Sequence, residues 1–169
     1  MPIVAGDIEY RLSGGAANAD PNASLGGAIS SVEIVDATLE NLFDNVDGAE
    51  STAGDIEYRG FYVINTHATL TWQNVIIWID TASPSLDTNV EIAVAQEGIN
   101  NPMQTIADES TAPVGESFSA PMAPGVAISI GNIPPGEFQG IWVRRIVQPG
   151  AAAFDLDGVV LRTRGETAA

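Results

Sequence analysis

The chain contains one histidine and no cysteine, so few residues could support catalysis. His67 stands in Asn65-Thr66-His67-Ala68-Thr69. A general base needs a partner group and a substrate cleft. No Gly-x-Ser-x-Gly elbow accompanies this histidine, and it reads as a turn residue. Without cysteine there is no disulfide framework, thiolate metal site or cysteine nucleophile. Carboxylates are plentiful, 22 against six arginines, and lysine is absent. Two groups have the carboxylate density that attracts a hard cation: Asp44, Asp47 and Glu50, and Asp155 with Asp157. Neither has calcium-loop spacing, and Asp157-Gly158 reads first as a hairpin turn. A glycosidase-type carboxylate pair arises somewhere among so many acids and is uninformative alone. Gly14-Gly15 and Gly26-Gly27 do not lead into a helix carrying lysine, so no phosphate loop is present. The expectation is a non-enzymatic chain with no catalytic metal and no cofactor, in which calcium is the one ion an acidic cluster would hold loosely.

Charge narrows the partners. A formal net charge of −16 repels a phosphate backbone, and no basic stripe offsets it, so nucleic acid is excluded. An anionic membrane surface is excluded on the same ground. A basic protein face or a divalent cation would be attracted. Arg144-Arg145 is the one adjacent basic pair. Neighbours on a strand point to opposite faces, so one of the two must enter the core side or meet a carboxylate. Trp72, Trp78 and Trp142 lie within apolar runs and read as core.

These residues need elements to hold them. A chain of 169 residues suits one domain. The sequence predicts an all-β fold, an antiparallel β-sandwich or jelly-roll-like body of about seven or eight strands. Strands are expected near 30–35, 56–65, 69–80, 89–96, 126–130, 138–147 and 158–164, with a bulge near Gln73-Asn74 and a short strand near Ser117-Phe118. In 89–96, Val90, Ile92 and Val94 alternate inward against Glu91 and Ala93. The one helix expected covers Asp36–Val46, where Leu39, Leu42 and Phe43 share a face, closed by Asp47-Gly48. No signal peptide is expected at Met1-Pro2-Ile3-Val4, and Val75–Ile79 is too short to span a bilayer. The chain is expected to be made in a cytoplasm and to remain soluble.

Residues 1–29 differ from the rest. Glycine, alanine, asparagine and proline dominate after Arg11, which predicts an extended N-terminal arm preceding a single sandwich domain over 30–169. The seven residues Ala-Gly-Asp-Ile-Glu-Tyr-Arg occur at 5–11 and again at 53–59. The repeat does not extend further, so no solenoid is implied. Both copies read as strand starts. The sharper reading has the first copy pairing with a strand edge in its own or a neighbouring subunit.

The stretches 11–18 and 22–31, the segment 41–44, the strand start at 54–59 and the run 135–145 together resemble a family of tailed-bacteriophage virion proteins. The resemblance spans nearly the whole chain. It implies a particle component of the capsid decoration, or cement, type. Such a protein would sit on the virion's capsid surface, bind the major capsid protein of the phage head, and associate with itself as a homotrimer. No functional motif carries over from it. On this reading the arm docks on a neighbour, with Ile3, Ile8, Tyr10, Arg11, Leu12 and Leu25 as the partner-binding residues. The alternative is a tail or fibre module that binds a receptor or glycan, which exposure of Trp72 and Trp142 would favour and their burial weaken.

Overall fold

The computed structural model describes residues 1–154 and 157–167. In chain order the elements are β1 (Ile8–Leu12), β2 (Gly26–Gly27), α1 (Gly48–Ala53), β3 (Asp55–Asn65), β4 (Trp72–Thr81), β5 (Thr88–Val94), β6 (Met103–Thr105), β7 (Ile128–Ile133), β8 (Phe138–Val147) and β9 (Val160–Thr167). The described strands pair antiparallel in three sheets. One has the order β1-β3-β8-β5, the second β7-β4-β9, and β2 pairs with β6. The fold is all-β and sandwich-like.

The strands form where β-branched and aromatic residues are dense. β3 carries Tyr58, Phe61, Tyr62, Val63 and Ile64, all buried. The register of β4 shifts between Trp72 and Val75, and Asn74 there adopts φ 52. This is the bulge expected at Gln73-Asn74. The two larger sheets bury Phe61, Val63, Ile92, Ile141 and Val143 against Val75, Ile77, Ile79 and Ile133.

The four-stranded sheet is covered on its other face as well. Tyr58, Tyr62, Ala93, Ala95 and Trp142 pack there with Met103 and Ile106. Ala93, expected outward, is therefore only 1% exposed. Two glycines permit this second layer. Met103 lies over Gly140, where an added Cβ would fall 2.3 Å from its Cγ. Gly26 has φ +86, and a Cβ there would meet the Gln104 carbonyl oxygen at 1.9 Å. Tyr62 ties the layer down. Its hydroxyl donates to the Gly27 carbonyl and accepts from the Met103 amide.

Three expectations need correction. Residues 36–46 form turns rather than a helix. Asp47, expected to close that helix, instead opens α1, its side chain accepting from the Ala49 and Glu50 amides. A capping box, Asp47-x-x-Glu50, was the local signal, and the apolar spacing before it outweighed it. The strand expected at 30–35 is reduced to an isolated bridge between Arg11 and Glu33, and that near 117–118 to one between Ile92 and Ser119. Within residues 1–29, expected as an extended arm, the structure places β1 as an edge strand on β3. Leu12 is 2% exposed and Ser13 is fully buried, its hydroxyl donating to the Gly60 carbonyl. The Gly60 amide donates to the Ser24 carbonyl, and that of Ile106 to Leu25. Backbone hydrogen bonds within the chain thus hold a segment whose side chains are too small to hold it themselves. Asp155, one half of the second acidic group, lies outside the described residues.

Candidate functional site

The strongest concentration of chemistry is a buried charge cluster inside one end of the sandwich. Its frame is the pairing of β3 with β8, which sets Glu57 directly opposite Arg145. Both lie on the face shared with Phe61, Val63, Ile141 and Val143, because side chains two apart on a strand point the same way. The Arg145 Nε donates to Glu57 Oε2 at 2.5 Å. The same guanidinium donates to the Asp44 carbonyl at 2.6 Å and lies 3.5 Å from the Asp44 carboxylate. Arg59 stands two residues along β3, 3.9 Å from Glu57 Oε1, and donates to the Glu109 carboxylate. The Phe43 ring lies under both guanidiniums, 5.5 Å from that of Arg59 and 4.9 Å from that of Arg145, a cation–π arrangement.

Burial here is nearly complete: Glu57 is 1% exposed, Arg59 0% and Arg145 9%. Burial raises the Glu57 carboxyl above its ordinary value, the Arg145 and Arg59 guanidiniums draw it back only in part, and Asp44 pushes it further up. Among the described residues, Glu57 Oε1, Asp44 Oδ1 and Arg59 Nε have no hydrogen-bond partner. Arg144, the other half of the arginine pair, points to the opposite face. There it pairs with Glu91 and lies 4.8 Å from the Phe118 centroid. One of the two was expected to enter the core side or meet a carboxylate, and Arg145 does both.

The acidic group expected from Asp44, Asp47 and Glu50 is not what the fold assembles. Asp47 is committed to the α1 cap and Asp44 to Arg145. Instead Glu50, Asp55 and Glu57 present carboxylate oxygens within 4.8 Å of one another. Asp55 and Glu57 share a strand face. Gly54, at φ 78, turns the chain from α1 into β3 and swings Glu50 beside them. Sequence reasoning missed this group because its members belong to two elements whose junction is not periodic.

The remaining candidates are plainly placed. The His67 Nδ1 accepts from the Thr69 and Leu70 amides at 3.2 and 3.0 Å, which fixes it as a turn cap rather than a free base. Trp72 is 6% exposed and Trp142 is fully buried, so neither offers a platform to a sugar. Of the residues expected to bind a partner, Ile3, Ile8 and Tyr10 pack against the main core, and Leu25 packs against the second core. Leu12 is buried, and Arg11 pairs with Glu9. Part of the apolar surface of these anchors is engaged within this chain.

Exposed apolar side chains occur at several places among the described residues, three of them at one end of the sandwich. β3, β5 and β9 begin, and β4 and β8 finish, at the same end of the sandwich. At that end Leu86 in the β4–β5 connection is 100% exposed, Phe154 in the β8–β9 connection 50%, and Val160 at the start of β9 50%. Comparison with protein-family models, curated proteins and solved structures finds no match for the chain.

Proposed function

We propose that this chain is a non-enzymatic structural protein of a phage particle. Its role is that of a capsid decoration, or cement, protein on the head surface, binding the major capsid protein and associating with itself as a homotrimer. The observation that carries the reading is the apolar end of the sandwich. Exposed apolar surface gathered on one part of a soluble protein marks an interaction site, and Leu86, Phe154 and Val160 stand exposed at one end of a body buried through two layers. The particle is proposed on the resemblance read in the sequence alone. The buried charge cluster adds no reactivity, since its arginines are neutralised by carboxylates and packed on Phe43. Many copies on a lattice turn a modest contact at each apolar end into firm retention. The burial of Trp72 and Trp142 weakens the glycan-binding alternative.

Gold-labelled antibody on virions tests the placement: label over the heads is expected, and label confined to tails overturns it. The contact is tested with Leu86→Ser and Phe154→Ser combined. A fully buried side chain of this size contributes about 1.5–3 kcal/mol. Attachment to heads that lack the protein should therefore weaken at least about tenfold, with the melting temperature unchanged. Undiminished attachment would remove the apolar end from the interface.

A further inference from the structure

We propose that Glu50, Asp55 and Glu57 form a divalent-cation site that takes calcium. Their three carboxylate oxygens lie within 4.8 Å of one another. Oxygens bound to one calcium ion at about 2.4 Å lie no more than about 4.8 Å apart, so one ion can reach all three. The cluster is set by the chain rather than by loose side chains. The Glu50 Oε2 accepts from the Asp47 amide at 2.7 Å, which pins the side chain. The Gly54 amide donates to the Glu50 carbonyl at the end of α1, where the chain turns into β3.

A second observation points to a ligand. Glu57 is 1% exposed, and while Arg145 holds its Oε2, its Oε1, with the Arg59 guanidinium 3.9 Å away, has no hydrogen-bond partner among the described residues. A buried carboxylate oxygen without a donor is costly, and an orphan of this kind marks the place of a water or an ion. The surrounding charge agrees. Five carboxylates, Asp44, Glu50, Asp55, Glu57 and Glu109, face two guanidiniums, Arg59 and Arg145. A doubly charged ion offsets most of that excess. Glu50 and Asp55 are half-buried, which leaves the site open to solvent on one side.

The donor set selects the ion. An all-oxygen cluster without histidine or cysteine suits calcium or magnesium rather than zinc or copper. Magnesium demands near-ideal octahedral geometry, whereas calcium accepts an irregular set completed by water. With three protein carboxylates, affinity should fall in the weak range of about 10⁻⁴–10⁻³ M. The site stands apart from the particle reading and can fail or hold independently of it.

The test uses the full chain stripped with EDTA, at matched ionic strength, with calcium alone as the probe. Titration calorimetry should show one saturable site. The melting temperature should rise by roughly 5 °C at a hundredfold excess over the dissociation constant. Asp55 takes part in no ion pair among the described residues, so Asp55→Asn should fold normally and lower the affinity at least about tenfold. Asp108→Asn removes an equal charge from an exposed loop and should leave binding intact. Magnesium should give a smaller shift. Absence of saturable heat up to about 10 mM calcium, or an equal shift in Asp55→Asn, overturns the proposal.

Discussion

The seven residues at 5–11 and their copy at 53–59 each open a strand, and they turn opposite faces to the core. In the first copy Ile8 and Tyr10 pack inward, while Glu9 and Arg11 pair on the outer side with each side chain 27% exposed. In the second, Glu57 and Arg59 point inward and are buried, while Tyr58 packs into the outer layer. The copies are not paired with each other. β1 lies against residues 61–65, further along the strand that the second copy opens. In this register Tyr10 faces Val63, so the inward set of β1 matches the apolar part of β3. The difference is one of parity: a one-residue change of register exchanges the two faces of a strand. Local sequence therefore sets that a strand forms, and the surroundings decide which half of it is desolvated. The second copy can bury charge only because Arg145, Asp44, Glu109 and Phe43 converge on it.

The largest effect should come from removing the first copy. Deleting residues 1–12 strips the edge strand and Leu12, whose truncation to alanine alone would cost about 2–5 kcal/mol. A domain holds only about 5–15 kcal/mol in all, so the deleted chain should lose its cooperative melt. A cooperative transition near the native temperature would show the segment to be dispensable and restore the arm. Next in size is the contrast between the two glutamates. Glu57→Ala leaves Arg145 buried without its partner and should cost about 3–5 kcal/mol. Glu9→Ala opens a partly exposed pair and should cost about 0–1 kcal/mol. Denaturant unfolding measures both, and equal costs would mean that burial does not separate the copies. The smallest effect is in pH. The Glu57 carboxyl titrates above its ordinary 4.5, so folding favours its protonated form. Its contribution is full below about pH 4.5 and is lost as pH rises through the raised value. With EDTA present, the melting temperature of Glu57→Gln relative to the native chain should rise by a few degrees between about pH 4 and pH 7. A falling difference would mean that the arginines hold this carboxyl low.

Much of the architecture was legible in the chain. β3, β5 and β8 lie where β-branched and aromatic residues alternate between turn residues, and the β4 bulge sits at Gln73-Asn74 as read. The opposed arginines followed from strand parity alone. Three things were not legible. Leu39, Leu42 and Phe43 have helical spacing, but Leu39 is exposed, while Leu42 and Phe43 pack on the core and Phe43 lies under two guanidiniums. Residues 12–27 carry only two large apolar side chains, Leu12 and Leu25, and hydrophobic pattern cannot reveal a segment held by its backbone. The cation cluster joins a helix to a strand through Gly54, and no spacing rule spans that turn.

The order of strands in the larger sheet has a consequence for how the protein is made. β8 lies between β3 and β5 in space, yet it follows both in the chain. Until residues 138–147 have left the ribosome, β3 lacks its longest partner and β5 has none within that sheet. Sheet closure is therefore a late, long-range event of the kind that slows folding. A growing chain must carry its apolar strands unsheltered until then, the interval in which such proteins are most exposed to mispairing.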